Sequence, residues 1–210
     1  MKQLRDYIRN IFQKALESNR NMRNLYLIRH GTPDFNDGIK LCIGRTDIDI
    51  GEEGKEEAIK LRDFFQNKDI SNIYSSPLKR CIHTAKIIAD GRKAVITEDG
   101  LVEIYMGCWE GVPLKDIEKD LGDEPADGEK RVDALRRMKE AVGRIMNNKD
   151  GDVILVSHAG VNCAFIADII GRDIRTSRAL KQPCGSYNHF IFDGKRFSLV
   201  EMGCLPQKQI

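Results

Sequence analysis

Short apolar runs alternate with amphipathic segments along most of this 210-residue chain. Runs with the length and continuous apolar character of buried strands lie at 24–29, 70–75, 94–97 and 152–157. Segments with apolar residues at helical spacing lie at 52–67, 78–89, 129–147 and 159–170. Because strands that alternate with helices form parallel crossover units, the pattern predicts a three-layer α/β/α sandwich with a mainly parallel central sheet.

Two regions depart from this alternation. Residues around 107–128 are irregular, with one short segment of helical pattern at 114–121, and we interpret them as a short lid-like insertion. Near the C-terminus, strand patterns at 186–192 and 196–202 flank Asp193 and Gly194, a pair typical of tight turns. The sequence therefore predicts that the chain ends in a β-hairpin.

Residues 1–23 carry a pattern of their own, with apolar residues at helical spacing and basic residues around the other face. We expect an amphipathic helical extension that precedes a main domain at 24–210. Its apolar stripe would pack on that domain or on a second subunit. Contact with a membrane surface is the alternative, because basic amphipathic helices can lie at an interface.

Composition restricts the partners and the location. The 34 basic and 32 acidic residues leave a net charge of +2 at pH 7, which does not favour binding to nucleic acid. No run reaches the roughly 18 apolar residues of a membrane span, and the N-terminus lacks the apolar core of a signal peptide. Six cysteines lie far apart, as reduced thiols do, although a disulfide framework is the alternative. We therefore expect a cytoplasmic protein.

Polar side chains gather where the predicted strands end. Arg29 and His30 close the first strand, Arg80 follows the second, and His158 follows the strand at 152–157. The carboxyl ends of parallel strands meet at one edge of a sheet, so these groups should lie together. Phosphoryl transfer needs cations around the moving group, a nucleophile or an oriented water, and an acid for the leaving oxygen. The pattern favours this chemistry.

Four motifs carry these residues in order. They are Arg29-His30-Gly31-Thr32, Ser75-Ser76-Pro77-Leu78-Lys79-Arg80, Leu101-Val102-Glu103 with Gly107-Cys108-Trp109-Glu110-Gly111, and Ser157-His158-Ala159-Gly160. Together they resemble the histidine phosphatase superfamily, also called phosphoglycerate-mutase-like, from Asn24 to about Met202. In length the chain is similar to small bacterial α-ribazole phosphatases and broad-specificity phosphatases. The resemblance implies a fold of the phosphoglycerate-mutase type and a hydrolase acting on a small-molecule phosphate monoester.

The resemblance also implies roles for individual residues. His30 would attack phosphorus and become phosphohistidine, while Arg29, Arg80 and His158 would hold the phosphoryl oxygens. Glu103 would protonate the leaving alkoxide and then assist the attack of water. No cofactor and no metal are implied, and no spacing of His, Asp or Glu in the sequence suggests a metal site.

Three further residues are weaker predictions for binding the substrate. Thr32 and Asn36 lie where the family places neutral donors, and ordinary turn residues are the alternative. Arg45 lies in a loop near the expected pocket, and a surface ion pair is its alternative. We expect His83 to be structural. Ser157 should orient its loop or donate to phosphate and not act as a nucleophile, because no nucleophile elbow surrounds it.

Three functions fit this residue set. Hydrolysis is favoured over a mutase-type phosphotransfer. The stretch between Glu103 and His158 resembles that of the shorter phosphatases of the family and not the longer insertion of its mutases. It is also rich in acidic residues, which would repel a second phosphate. A catalytically idle binding module is the third alternative, although the full residue set is present. A sugar phosphate, a nucleotide-pathway phosphate and α-ribazole phosphate all remain open as substrates. The N-terminal helix or the last strands could supply a homodimer surface.

Overall fold

The structure, a computed structural model, describes residues 22–35, 38–117, 124–147 and 151–207. Within these ranges one six-stranded sheet forms the centre of the molecule. Its strands are β1 Arg23–Arg29, β2 Ile70–Ser75, β3 Val95–Thr97, β4 Asp152–Ser157, β5 Tyr187–Phe192 and β6 Phe197–Cys204. Their order across the sheet is β3-β2-β4-β1-β5-β6.

The first four strands in chain order pair in parallel, and the last two form the predicted hairpin. β1 and β2 each pair in parallel with β4, and β3 pairs in parallel with β2. β5 runs antiparallel to β1, and β6 runs antiparallel to β5. The prediction of a mainly parallel sheet is therefore confirmed.

Four α-helices in the described ranges cover the sheet: α1 Glu52–Phe65, α2 Lys79–Ala89, α3 Arg131–Asn147 and α4 Ala159–Ile169. Short 3₁₀ turns lie at Asp99–Leu101, Gly107–Trp109, Leu114–Asp116 and Ile174–Ala179. None of the helices in the described part of the chain has the length and apolarity needed to cross a bilayer.

Strand β1 shows how the three layers arise from the sequence. Successive side chains of a strand point to opposite faces of the sheet. Leu25 and Leu27 pack in the cluster that contains α3 and α4. Tyr26 and Ile28 pack in the second cluster, with residues of α1 and α2. Because both faces are covered, β1 is a nearly continuous apolar run and not an alternating one.

Several predicted boundaries differ from the structure. The helix predicted from residue 78 begins at Lys79, because Leu78 is extended with φ −74° and ψ 141°. The helix predicted from residue 129 begins at Arg131. At 114–121 the described residues form only the turn Leu114–Asp116, and Ile117 is extended. Residues 1–21 of the predicted N-terminal helix and residues 118–123 of the predicted lid lie outside the described ranges.

Candidate active site

The carboxyl ends of β1, β2 and β4 bring three loops together. Arg29 pairs with Ser157 in the β1–β4 register, and Ser75 pairs with Val156 in the β2–β4 register. Backbone bonds continue past the strand ends, from the His30 amide to the Ser157 carbonyl at 3.0 Å and from the Ser76 amide to the Val156 carbonyl at 2.9 Å. The sheet register therefore places the residues that follow each strand side by side.

His30 is buried and neutral. Its Nδ1 lies 2.7 Å from the carbonyl oxygen of Gly31. Because a carbonyl oxygen can only accept, Nδ1 carries the proton and Nε2 keeps its lone pair. Burial, together with the positive charges of Arg80 and Arg29, holds the pKa of His30 well below its usual value. The imidazole is therefore in the form that a nucleophile requires.

His158 lies beside His30 with the opposite tautomer. The two ring centroids are 5.1 Å apart in an edge-to-face arrangement. Arg80 Nε donates to His158 Nδ1 at 3.2 Å, so the proton lies on Nε2, which is 2.8 Å from Ser76 Oγ. Burial and then the charge of Arg80 also hold the pKa of His158 well below its usual value. The two rings are thus fixed with distinct protonated nitrogens.

Two arginines bring permanent positive charge to the site. Arg80 is fully buried, and its terminal nitrogens donate to the carbonyls of Thr46 at 2.7 Å and Gly44 at 2.6 Å. Arg29 Nη1 donates to the Gln182 carbonyl at 2.5 Å, while Arg29 Nε is buried with no hydrogen-bond partner in the structure. A buried donor without a partner is costly, so an anion would complete this site.

The carboxylate of Glu103 lies at the N-terminus of α4. Oε1 accepts from the amides of Ile104 and Val161, and Oε2 accepts from the amide of Gly160, all at 2.9 Å. Negative charge is favoured at a helix N-terminus, where the first amides have no partner within the helix. The side chain is 6% exposed and lines the same cleft as Arg29 and His30.

A charged cluster holds the backbone of Glu103 from the other side. Arg137 donates to the Glu103 carbonyl at 3.1 Å and binds Glu129 through two bonds of 2.8 and 2.9 Å. Arg45 Nε also reaches the Glu103 carbonyl, at 3.4 Å, and Arg45 pairs with Glu129 at 3.1 Å. The cluster fixes the turn that carries the Glu103 carboxylate.

The three weaker site predictions are Thr32, Asn36 and Arg45, and the structure describes two of them. The amide and hydroxyl of Thr32 both bind Glu57 in α1, at 2.7 and 3.1 Å, although Thr32 does line the cleft. Arg45 contributes to the Glu129 ion pair and is not among the residues that line the cleft. Asn36 lies outside the described residues. The structure thus brings Arg29, His30, Arg80, Glu103 and His158 together, with Thr32 on the wall of the same cleft.

Two further polar side chains, those of His83 and Ser157, contact other parts of the protein. His83 is half-exposed and pairs with Asp49 at 2.7 Å. The hydroxyl of Ser157 is buried and donates to the Leu101 carbonyl at 2.8 Å. Neither side chain lines the cleft that contains His30.

Sequence reasoning missed Glu110, which organises the loop that holds Arg80. Its carboxylate accepts from the amides of Gly44, Arg45 and Thr46 and from the Thr46 hydroxyl. Burial opposes ionisation, but these hydrogen bonds prevail and lower the pKa of Glu110. The carbonyls of the same loop receive Arg80. An acid inside the third motif was the available signal, but nothing in the sequence pairs it with residues 44–46.

Sequence reasoning also missed Gln182. Its side chain exchanges two hydrogen bonds with Asn188 of β5, at 2.9 and 2.8 Å, and both residues are buried. This pairing fixes the carbonyl that receives Arg29. Gln182 belongs to an irregular segment without a motif, so no pattern pointed to it.

A cleft of about 1140 Å³ leads away from these groups. Arg29, His30 and Glu103 lie on its wall, and α1, residues 40–43 and residues 183–185 enclose it further out. Among the described residues, no group of three or more His, Cys, Asp or Glu side chains is placed to hold a metal ion. The geometry offers a neutral imidazole nucleophile, the Arg29 guanidinium and a carboxylate on the wall of one cleft, with Arg80 bound to His158 beside His30.

Comparisons with known proteins agree with this geometry. The model of the family described as "Histidine phosphatase superfamily (branch 1)" matches residues 25–205. Glucosyl-3-phosphoglycerate phosphatase of Mycolicibacterium vanbaalenii is 26% identical over 71% of this chain and 75% of that protein. The 2,3-bisphosphoglycerate-dependent phosphoglycerate mutase of Thermoplasma acidophilum is 32% identical over 66% of this chain and 72% of its own length.

A solved structure shows the same fold. The putative α-ribazole-5'-P phosphatase of Escherichia coli superposes with a TM-score of 0.73 at 25% identity, covering 86% of this chain and 95% of that one. The resemblance seen in the four sequence motifs is thereby confirmed. The chain is a phosphatase enzyme and belongs to the histidine phosphatase superfamily, branch 1.

Proposed function

We propose that the protein is a metal-independent phosphomonoesterase that hydrolyses a small-molecule phosphate through a phosphohistidine on His30. The observation that carries this proposal is the state of His30. Its Nδ1 donates to the Gly31 carbonyl, its pKa lies well below the usual value, and it lies on the wall of the cleft. A neutral imidazole with its Nε2 lone pair available can attack phosphorus.

In the first half of the reaction, Nε2 of His30 forms a bond to phosphorus as the bond to the leaving oxygen breaks. Arg29, Arg80 and His158 hold the phosphoryl oxygens, since fixed cations and donors stabilise charge that develops there. Glu103 is the general acid of this half: it takes up a proton as the phosphate dianion binds beside it, and it gives that proton to the departing alkoxide. The products of this half are the free alcohol and phosphohistidine.

In the second half, water attacks the phosphohistidine. Glu103, now a carboxylate, takes a proton from that water, and His30 leaves as the neutral imidazole. Inorganic phosphate then dissociates. The three backbone amides around Glu103 support this step, because they hold the carboxylate in one position throughout the cycle.

Mutase-type phosphotransfer is the second candidate, and the 32% identity to a phosphoglycerate mutase favours it. In that reaction a phosphorylated second substrate, and not water, would accept the phosphoryl group. Hydrolysis is preferred because the cleft beyond the phosphate site is lined by three carboxylates, Glu53, Glu57 and Asp63, and by only two lysines among the described residues, Lys40 and Lys60. The excess of negative charge opposes a second phosphate. A cytoplasmic location belongs to the same proposal, because a reducing compartment keeps cysteine thiols such as those of Cys81 and Cys163 reduced.

The test is hydrolysis of p-nitrophenyl phosphate in EDTA by the wild type, His30→Asn and His83→Asn. We expect the wild type and the His83→Asn control to turn over without metal, and His30→Asn to lose about 10³-fold or more, because a covalent step needs its nucleophile. Mass spectrometry of quenched enzyme should find acid-labile phosphate on His30 alone.

Two results would contradict the proposal. Turnover that stops in EDTA and returns with Mg²⁺ or Zn²⁺ would assign the chemistry to a metal. Folded protein with neither turnover nor adduct would be a binding module, unless priming with 2,3-bisphosphoglycerate phosphorylates His30, in which case the mutase reaction holds.

A further inference from the structure

One wall of the cleft is a pair of segments, residues 40–44 and 111–114, that hydrogen-bond to each other. The Cys42 amide donates to the Val112 carbonyl, the Gly111 amide to the Cys42 carbonyl and the Leu114 amide to the Lys40 carbonyl, each at 2.8 Å. Leu41 and Pro113 form an antiparallel bridge. The wall is therefore built before any ligand arrives.

The wall turns apolar side chains toward the cleft. Successive residues of an extended segment face opposite sides. Cys42 is buried behind the wall, whereas its neighbours Leu41 and Ile43 line the cleft. Leu114 lines it too and is 43% exposed to water. Phe64 and Leu205 line it as well. A ligand that covers this apolar surface is bound more tightly, because the surface is then removed from water.

The wall is also tied to the reacting groups. Gly44, at its end, receives Arg80 through its carbonyl, and Glu110 joins the loop at 44–46 to the start of the second segment. Arg29, His30 and Glu103 line the same cleft as Leu41, Ile43 and Leu114. A phosphate bound by the arginines would therefore project the rest of its ester along this wall.

The charges of the cleft argue against a second anionic group on the substrate. Among the described residues that line it, Arg29 is the only arginine, and it belongs to the phosphate site. Two lysines, Lys40 and Lys60, also line the cleft, and they are exposed, as are Glu53 and Asp63. Helix α1 adds the three carboxylates of Glu53, Glu57 and Asp63. A carboxylate or second phosphate on the alcohol would meet more negative than positive charge here.

We infer that this wall is the leaving-group subsite, and that it selects monoesters of uncharged alcohols with an aliphatic or aromatic body. The inference rests on the proposed phosphomonoesterase function and names its substrate class. Esters whose alcohol carries a carboxylate, such as 3-phosphoglycerate or phosphoserine, should be poor substrates.

The test compares alkyl phosphates whose alcohols have similar acidity, so that binding and not leaving-group chemistry sets the differences. Ethyl, butyl and hexyl phosphate and benzyl phosphate are the uncharged esters, and 3-phosphoglycerate is the charged one. We expect kcat/KM to rise by about two- to fourfold for each methylene that becomes covered along the series. We expect 3-phosphoglycerate to fall at least about tenfold below hexyl phosphate, because its carboxylate meets the acids of α1.

Leu114→Asp tests whether the wall is responsible, with Val132→Asp as its control. Leu114 is partly exposed and its wall contact to Lys40 uses the backbone, so the variant should fold. Val132 is also exposed, at 57%, lies in α3 and does not line the cleft. We expect Leu114→Asp to abolish the rise in kcat/KM along the alkyl series, because a charged side chain replaces the apolar surface that would cover the added methylenes. Val132→Asp should keep the full rise.

The outcomes separate this inference from the proposed function. A flat alkyl series, a preference for 3-phosphoglycerate, or a Leu114→Asp series as steep as the wild type would overturn the inference while phosphohistidine on His30 still forms. Absence of both turnover and adduct with every ester would overturn the proposed function and the subsite with it.

Discussion

At the scale of single residues, the protonation of the two histidines is decided by what surrounds them. Burial and two guanidiniums lower the pKa values of both His30 and His158. As the pH falls, these two histidines are protonated in the unfolded chain before they are protonated in the folded protein, starting near the ordinary pKa of about 6.5. The stability contribution of the neutral rings is fully present above that pH and is lost below it, down to the folded pKa values.

Proton NMR of the four histidines tests this directly. Between about pH 8 and pH 5.5, the range in which ordinary histidines titrate, the ring signals of His30 and His158 should stay at their neutral positions. Signals missing from His30→Asn and His158→Asn identify the two rings. A titration midpoint near the ordinary value for His30 would contradict the effect of burial and of Arg80 and Arg29.

At the scale of elements, helix α1 fixes the segment that follows the nucleophile. A Cβ on Gly54 would lie 2.3 Å from the Thr32 carbonyl oxygen, and a Cβ on Gly31 would lie 2.4 Å from the Gly54 oxygen. Thr32 is also bound by Glu57, one turn further along α1. The two glycines permit a backbone-to-backbone approach that any larger residue would prevent.

Gly54→Ala and Gly143→Ala should therefore have opposite effects, although both glycines lie in helices. Nothing lies within 4 Å of a Cβ on Gly143, so alanine there should raise the free energy of unfolding by about 0.5–1 kcal/mol. Alanine at 54 must move backbone and should lower it by about 1–3 kcal/mol, with a loss of turnover. Urea unfolding and kcat of both variants check this. Equal stabilisation by both would show that α1 does not press on Thr32.

At the scale of the whole molecule, the site joins parts of the chain that are distant in sequence. Arg29 ends β1 and His30 follows it, Arg80 lies in α2, Glu103 follows the 3₁₀ turn Asp99–Leu101, and His158 follows β4. Each group is held by contacts from another element, such as the bond from Arg80 to His158. A ligand that bridges these groups binds only the folded chain, and so it must stabilise the fold.

Orthophosphate should accordingly raise the melting temperature of the wild type. At a concentration of 100 times Kd the added stability is about 2.7 kcal/mol for a single site. Arg29→Met removes the buried donor without a partner and should show a much smaller rise, while KCl at equal ionic strength should give none in either protein. An equal rise in the variant, or in KCl, would mean that phosphate acts on the surface in general.

Much of the fold and the main set of site residues could be read from the sequence. The strand predicted at 152–157 coincides with β4, because a strand buried on both faces needs an uninterrupted apolar run. Parallel pairing follows from the alternation with helices, and that pairing alone places His30 and His158 at one edge of the sheet. These properties depend on the local period of apolar residues and on motifs within a few positions.

What the tertiary structure alone decided are the contacts between loops. Glu110 accepts hydrogen bonds from amides at 44–46, the Gln182 carbonyl accepts from Arg29, and the Thr32 amide donates to Glu57. The tautomers of His30 and His158 and the apolar wall of the cleft belong to the same class. Periodicity reports which face of an element is buried. Hydrogen bonds between irregular segments depend on how those segments meet, and that is fixed only when the sheet and its helices have packed.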